Sequence, residues 1–276
     1  GPEDREHYLV DLRGRACVNP TLLMQTFPLP LLKVDSADFD ATNDYMTRGA
    51  GLTGAGDSKT GIASWWWNGG ISNLLTGAFL KTDSLAGLTS RSQLFGPAIA
   101  APRIQFRNAG GSVVLDIHHI GLLTAAGWWH CLSSWDLNAG VASLRVSSVA
   151  NGVFETQNLA STALVNDTID YTLSNWRVGA ELDGSNLYGG DLAELYFAPG
   201  QYLDFSLVVH RRKFISAGGK PVYLGATGQL PTGTAPLVYL HLDDGETVAN
   251  FATNRGTGGN FTITGTLGTG STSPSD

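Results

Sequence analysis

Short apolar runs, separated by glycine, asparagine and aspartate, recur along the chain from about residue 34 onwards. Many of them alternate apolar and polar side chains, the pattern that predicts half-buried β-strands. Turn signals such as Asn151-Gly152 supply the positive φ that tight hairpin turns require. Helical periodicity is nearly absent, and Asp204–Phe214 is the best helical stretch. The pattern therefore predicts an all-β sandwich or barrel, with strands at Ala37–Phe39, Ile62–Trp67, Ile71–Leu80, Arg103–Arg107, Ser112–His118, Trp128–Trp135, Ala142–Ser148, Asn175–Gly179, Leu192–Ala198, Leu237–Leu242 and Asn260–Thr264.

The two ends of the chain depart from this pattern. Residues 1–33 contain a charged stretch and the proline-rich Phe27–Pro30, so we expect a linker or N-terminal connection to an upstream region. Residues 34–265 are predicted to form one all-β domain, since sandwiches of ~200–250 residues are commonly single domains. Residues 266–276 are rich in glycine, serine and threonine and are predicted to form a flexible tail. The chain opens on Gly1-Pro2, typical of a protease-cleavage remnant, so we expect a fragment of a longer protein.

Charge and cysteine content exclude several classes of partner. The formal net charge is −7, and the longest run of basic residues is Arg211–Lys213. Nucleic-acid binding requires clustered cations, so neither nucleic acid nor an anionic membrane is an expected partner. No apolar run approaches the ~20 residues of a membrane-spanning helix, so we expect no membrane insertion. Cys17 and Cys131 are interpreted as two buried free thiols.

Carboxylate pairs are the residues to inspect for an enzyme, because glycoside hydrolysis needs two acids on either side of one bond. Glu181-Leu182-Asp183 runs directly into Gly184 and has no third acid. Asp191 and Glu194 are predicted to lie on opposite faces of a strand. The sequence therefore predicts a protein without catalytic activity.

Tryptophan provides the positive signal for ligand binding. Because side chains alternate along a strand, Trp65 and Trp67 share one face and Trp66 takes the other. One face of a sandwich strand belongs to the core, so at least one of the three leaves the core. An exposed indole offers apolar area to the C–H face of a sugar. The alternative, which the sequence leaves open, is that a loop or residues 1–33 cover the outer tryptophan.

Five segments, in this order, resemble the laminin-G-like jelly roll of the concanavalin A-like lectin/glucanase superfamily. They are Ala37–Tyr45 (similar to x-F-D-G-x-N-D-Y), Lys59–Trp67 (T-x-x-x-x-W), Gly127–Asp136 (W-H-H-V-A-V-T-W-D), Val149–Val153 (V-N-G-V), and Arg177–Ala180 with Gly189–Phe197 (I-G-A … G-x-I-x-E-L-x-I-Y). The resemblance covers about residues 34–215. It implies a two-sheet antiparallel jelly-roll sandwich, with residues 216–265 as a C-terminal extension packed on it.

The resemblance also implies which side chains face outwards. It makes Trp135 a core anchor, so Ser133, Cys131 and Trp129 share its face while Trp128 and His130 lie on the other. It makes Ala193, Leu195 and Phe197 core residues and places Leu192, Glu194 and Tyr196 on the outer sheet surface. The alternative for Glu194 is a purely structural acceptor for loop amides. The candidate carbohydrate-binding residues are Trp65, Trp67, Trp128, His130, Tyr188, Glu194 and Tyr196.

Many members of this superfamily bind Ca²⁺ near the rim of the sandwich. The nearest matches here are Asn43, Asp44 and Asp183. They supply fewer oxygens than the ~6–8 that calcium takes, and ordinary surface turns are the alternative. No cofactor is required by this interpretation, and Ca²⁺ is the candidate.

The last part of the chain, Arg212–Ile215 with Gly219–Val222 and Asn254–Phe261, resembles the C-terminal extension of such proteins in phages and phage-like particles. This implies a location on the virion or particle surface, with action outside the cell. The hypothesis is a non-catalytic, lectin-like domain for host attachment that recognises host cell-surface or capsular polysaccharide. Its other partners would be virion subunits and copies of itself. The alternatives are a structural virion module without a glycan site and, third, a glycan-degrading enzyme.

Overall fold

A computed structural model describes residues 9–10, 16–17, 32–69, 78–82, 87–92, 100–121, 123, 126–182, 184 and 187–276. The chain divides into two units, Gly1–Leu31 and Leu32–Asp276. In the first unit, β1 (Leu9–Val10) pairs antiparallel with β2 (Ala16–Cys17). The rest of the predicted linker over residues 1–31, and the side chain of Cys17, lie outside the described residues.

The second unit is built almost entirely of β-strands. With 42% of the chain in strands and 6% in helices, the prediction of an all-β fold is confirmed. The α-helix α1 spans Val208–Arg211, and 3₁₀ turns span Val149–Asn151 and Val248–Ala252. The strands are β3 (Ala37–Asp40), β4 (Tyr45–Arg48), β5 (Thr60–Asn68), β6 (Ala78–Lys81), β7 (Gly87–Ser92), β8 (Ala100–Arg107), β9 (Val113–His119), β10 (Trp128–Asp136), β11 (Val141–Ser148), β12 (Val153–Gln157), β13 (Leu159–Leu164), β14 (Trp176–Val178), β15 (Gly189–Pro199), β16 (Val238–Leu240), β17 (Thr262–Thr264) and β18 (Gly268–Thr269).

These strands form two antiparallel sheets. Sheet I has the order β12-β11-β10-β5-β15-β3-β18, and β16 also pairs with β15. Sheet II has the order β13-β9-β8-β7-β6-β14-β4-β17. Neighbours in space are often distant in sequence, as in the pairing of β5 with both β10 and β15. This is the predicted two-sheet antiparallel jelly roll.

The main hydrophobic core contains inward-facing side chains of both sheets. On β10, Trp129, Cys131 and Trp135 belong to it, which confirms the predicted face of that strand. Cys131 is a free, buried cysteine, as predicted. The Trp135 indole donates a hydrogen bond to the Tyr171 hydroxyl at 2.9 Å, so even this polar group is satisfied in the core.

A β-bulge in β15 changes which side chains face the core. Ala193 pairs with Trp66 and Tyr196 pairs with Ser64, so two residues of β15 lie opposite Trp65 alone. An extra residue reverses the alternation on one side of the bulge. The predicted faces of Leu192 and Ala193 were therefore wrong: Leu192 belongs to the main core, and Ala193 lies in a small cluster with Trp66. Leu195 and Phe197 are core residues, as predicted.

The outer face of sheet I is not open to solvent over most of its area. Residues 203–224, here called the covering segment, pack on it through Phe205, Phe214 and Leu224. Their partners on the sheet include Leu132 and Tyr196. The predicted helical stretch Asp204–Phe214 contains only the four residues of α1 and otherwise follows turns. The part of the outer sheet surface that holds Leu132 and Tyr196 is therefore covered and not open to a ligand.

The tail that was expected to be flexible is part of the fold. Residues Gly268–Thr269 pair with β3. Beyond them, the backbone N–H of Val34 donates to the Ser275 hydroxyl at 3.1 Å, and the Ser36 hydroxyl donates to the Thr272 carbonyl at 2.9 Å. The two ends of the second unit are thus bonded to each other. Among the described helices, none has the length and apolar character needed to cross a membrane.

Candidate functional site

A groove of about 470 Å³ opens on the outer side of sheet I, bordered by residues 219–220 of the covering segment and by the C-terminal segment. Two indoles, Trp66 and Trp128, line it, and we call it the indole groove. Its other lining comes from Asn68, residues 126–127, 149–150 and 219–220, and four residues of the C-terminal segment, Thr272, Ser273, Pro274 and Asp276. An apolar floor with a few polar groups at the rim is the usual composition of a small-molecule site.

The strand register brings the two indoles together. Trp66 on β5 pairs with His130 on β10. Asn68, two residues after Trp66, pairs with Trp128, two residues before His130. Both tryptophans lie on the outer face, where they belong to one small apolar cluster with Ile215. Trp66 is 3% exposed, whereas Trp128 is partly exposed. Trp128, one of the predicted binding residues, therefore offers the more accessible ring.

His130 supports the groove from below and does not line it. Its ring stacks on Trp66 with centroids 4.3 Å apart, and its Nε2 is 2.8 Å from the Ser64 hydroxyl. Burial lowers the pKa of His130 to about 3, so the imidazole is neutral at physiological pH. Its predicted role as a direct sugar contact is corrected to a packing role, because its side chain is buried under Trp66.

Three predicted aromatic ligands are core residues. Trp65, Trp67 and Tyr188 are all at most 1% exposed. Trp65 and Trp67 each pack 5.6 Å from the ring of Phe79, between the sheets. This corrects their assignment to a binding surface, since the inner face of β5 is the core face. The alternation that paired Trp65 with Trp67 also placed Trp66 opposite them, and Trp66 is the member that reaches the groove.

Tyr196 and Glu194 are covered as well. Tyr196 packs edge-on against Phe214 of the covering segment, with centroids 5.2 Å apart. The Glu194 carboxylate accepts a hydrogen bond from the Tyr239 hydroxyl at 3.0 Å and contacts Nδ1 of His241. Glu194 is 3% exposed, so its oxygens serve these side chains and not a ligand. Both assignments to the sugar site are corrected.

The Glu194 contact begins a chain of charges that runs to the surface. Nε2 of His241 lies 2.9 Å from the Asp243 carboxylate, whose other oxygen accepts from Arg255 at 2.9 Å. Burial lowers the pKa of His241, but Glu194 and Asp243 outweigh it, and the pKa is raised overall. Glu194 occupies the bulge with a φ of +51°, a strained conformation for a residue other than glycine. The network thus holds a strained backbone position in place.

Two of the predicted calcium ligands, Asn43 and Asp44, contact the turn at residues 265–266. The Asp44 carboxylate accepts the backbone N–H of Thr266 at 2.6 Å. Gly265 packs so closely on Asn43 and Asp44 that an added Cβ would lie 2.2 Å from Oδ1 of Asp44. In the described part of the chain, no group of three or more His, Cys, Asp or Glu side chains could hold a metal ion. Asp183 lies outside the described residues, so calcium binding stays a prediction.

Two of the carboxylates inspected for catalysis have partners of their own in the fold. Glu181 forms an ion pair with Lys81. Asp191 accepts a hydrogen bond from the Asn68 side chain at 3.2 Å, next to the indole groove. Burial, together with the nearby charge of Asp38, raises the pKa of Asp191 to about 6. The absence of catalysis stays a prediction.

Replacing Asp191 with asparagine is expected to stabilise the fold increasingly as the pH rises from 4 to 7. The native state binds the Asp191 proton more tightly than the unfolded chain does, because the pKa rises from 3.8 to about 6 on folding. That stabilisation is complete below the unfolded pKa and is lost as the pH rises through about 6. Asparagine can still accept the Asn68 hydrogen bond and carries no charge.

Melting temperatures of both proteins across this pH range test the effect. Asp244→Asn, at an exposed position without a side-chain hydrogen bond among the described residues, is the control for the loss of one negative charge. A difference between wild type and Asp191→Asn that stays constant across the pH range would contradict the raised pKa.

Comparison with known proteins supports the fold. No protein-family model matches the chain, and no curated protein sequence matches it. Among solved structures, a "putative carbohydrate binding protein" from Bacteroides ovatus superposes with a TM-score of 0.53 at 15% identity, covering 88% of this chain and 62% of that one. The chain thus spans less than two thirds of the length of that protein. The similarity to a heptameric SAP-like pentraxin from Limulus polyphemus is weaker, with a TM-score of 0.41 at 11% identity over 62% of this chain and 77% of that one.

Proposed function

We propose that this chain is a non-catalytic, lectin-like domain that binds carbohydrate in the indole groove. The observation that carries the proposal is the groove itself, in which the partly exposed ring of Trp128 lies beside Trp66. The sugar would stack on Trp128 and form hydrogen bonds with the polar rim. The fold is shared with a structure described as carbohydrate-binding, which supports the same class of ligand.

The polar rim suits hydroxyl-rich ligands. It carries an amide, an ammonium, two hydroxyls and a carboxylate, from Asn68, Lys220, Thr272, Ser273 and Asp276. These groups can donate to and accept from sugar hydroxyls without the large desolvation of a wholly charged site. The groove is small, so affinity at one site is expected to be low. Several copies on one particle would raise the overall affinity through avidity.

We further propose that the domain acts at the surface of a phage or phage-like particle and recognises host surface or capsular polysaccharide. The resemblance of Arg212–Ile215, Gly219–Val222 and Asn254–Phe261 to the C-terminal extensions of such proteins supports this. Immunogold labelling of particles with an antibody to the domain is the direct test. Label confined to the particle interior would contradict it.

Trp128→Ala is expected to weaken polysaccharide binding by roughly 30-fold, since truncating an aromatic anchor typically costs ~2 kcal/mol. Binding of the purified chain to a glycan array and to capsular polysaccharides measures this, in Ca²⁺ and in chelator. Tyr202→Ala is the matched control, because it also removes an exposed aromatic ring (Tyr202 is 37% exposed) but far from the groove. Tyr202 lies near Asp136, and Asp136 is roughly 26 Å from Trp128 along β10. That variant is expected to bind normally.

The remaining outcomes separate the alternatives. Absence of binding by the wild-type chain in both conditions would favour a structural particle module. Equal loss in both variants would mean that the groove is not the site. Release of reducing ends from a bound polysaccharide would show an enzyme. Loss of binding in chelator alone would make calcium part of the site.

A further inference from the structure

The Thr272 side chain has an unusual hydrogen-bonding position at the rim of the indole groove. Its Oγ1 accepts the indole N–H of Trp128 at 3.1 Å. The same oxygen accepts the Asn68 side-chain N–H at 3.3 Å. Thr272 is exposed, and its backbone carbonyl accepts the Ser36 hydroxyl at 2.9 Å. The residue is therefore held from three sides while it faces the groove.

The two accepted bonds determine what the hydroxyl can do next. A threonine hydroxyl has one donor and two acceptor positions. Both acceptor positions are used by Trp128 and Asn68, and the hydroxyl donates to no acceptor among the described residues. The remaining hydrogen is therefore available to a group outside the protein. Since Thr272 lines the groove, that group would lie beside the Trp128 ring.

The backbone beneath Thr272 holds this geometry in place. The N–H of Gly270 donates to the Ser36 carbonyl at 3.0 Å. An added Cβ at Gly270 would lie 1.9 Å from the Ser36 hydroxyl and 2.7 Å from the Asp191 carboxylate, so the segment is packed directly on the sheet. Thr272 follows two residues later, so its backbone has little conformational freedom. This makes the hydroxyl a preorganised donor, not a side chain that happens to be near.

We propose that Thr272 is a specificity-determining residue of the carbohydrate site, whose hydroxyl donates to an acceptor oxygen of the sugar that stacks on Trp128. The inference rests on the proposed function of the groove. Its consequence is chemical selection: the sugar atom facing Thr272 must be able to accept, as a ring, hydroxyl or carboxylate oxygen can. A sugar with an acetamido N–H directed to this point would leave two donors facing each other and would be disfavoured.

Thr272→Val and Thr272→Ser form the test pair. Valine keeps the shape and removes the hydroxyl, and serine keeps the hydroxyl. Thr272→Val is expected to lower affinity about tenfold, with Thr272→Ser within about twofold of wild type. The probes are dextran, mannan, alginate and polygalacturonate, assayed alongside Trp128→Ala. The ¹⁵N–¹H signal of the Trp128 indole is followed in parallel, and it should move in the valine variant and stay nearly in place in the serine variant.

The outcomes of these assays distinguish the role of Thr272 from the proposed function of the groove. Loss of binding in Trp128→Ala together with wild-type affinity in Thr272→Val would overturn the role of Thr272 and leave the proposed function intact. Loss of binding in Thr272→Ser with wild-type affinity in Thr272→Val would mean that methyl packing matters and not the hydroxyl. Binding of none of the four polysaccharides by the wild-type chain would count against the proposed function and this inference together.

Discussion

Glu194→Ala is expected to lower the free energy of unfolding by about 3–5 kcal/mol, the usual cost of removing one member of a buried charged pair. The substitution leaves the Tyr239 hydroxyl and Nδ1 of His241, which belong to almost fully buried side chains, without their shared acceptor. It also removes the side chain that holds the bulge at a φ of +51°. Urea denaturation followed by circular dichroism at neutral pH measures the loss.

The same loss should depend on pH in a defined direction. Folding raises the pKa of His241, because the attraction of Glu194 and Asp243 outweighs burial. The stabilisation that comes from protonated His241 is therefore complete below its unfolded pKa and is lost as the pH rises through the folded value. Glu194→Ala should cost more at pH 6 than at pH 9.

Glu246→Ala provides the control for this network. Its carboxylate pairs with Arg255 at the outer end of the same chain of charges and is 25% exposed. Partly exposed ion pairs contribute little, so a loss of about 1 kcal/mol or less is expected. A Glu194→Ala protein of wild-type stability with impaired sugar binding would instead restore Glu194 as a ligand.

Trp67→Ala is the second large effect, with an expected loss of about 3–5 kcal/mol in the free energy of unfolding. Its ring packs against Trp65 at 6.2 Å, Phe79 at 5.6 Å and Trp129 at 6.3 Å, all in the main core. Removing the indole leaves a cavity between the sheets that these rigid rings cannot close. Chemical denaturation measures the loss, with Trp128→Ala expected to cost much less because Trp128 is already partly exposed.

Trp67→Phe sharpens the interpretation. Among the described residues, the buried Nε1 of Trp67 has no hydrogen-bond partner, so phenylalanine removes an unsatisfied donor while keeping an aromatic ring. A markedly smaller loss than that of alanine is expected. If Trp67→Ala were instead fully stable and defective only in binding, the assignment of Trp67 to the core would be wrong.

The covering segment explains why the site lies at one end of sheet I. Phe205, Phe214 and Leu224 take up the apolar area of the sheet face that an open lectin groove would need. The indole groove lies where residues 219–220 of this segment and the C-terminal segment line the space around Trp128. Any ligand therefore meets one accessible ring and a polar rim, and not a row of aromatic side chains.

The fold class followed from the sequence because strand alternation is a local property. The pattern predicted Trp128–Trp135, and the strand spans Trp128–Asp136 with the predicted faces. The pattern failed where local signals were weak. Strands β12 and β13 were not predicted, and their partly exposed, mixed composition explains why.

The binding residues depended on tertiary structure. Alternation shows that Trp65 and Trp67 lie on one face of β5 and Trp66 on the other, but it does not show which face packs against the other sheet. The bulge at Glu194 shifts the pairing register of β15, and no glycine at that position indicates it in the sequence. The groove joins Trp66, Trp128 and Thr272, which are far apart in sequence, through strand pairing and a bonded C-terminal segment. The sequence by itself determined the sandwich and its alternating faces, because those depend on neighbours along the chain. Only the tertiary structure decided which aromatic side chain stays accessible, because that depends on what packs over it.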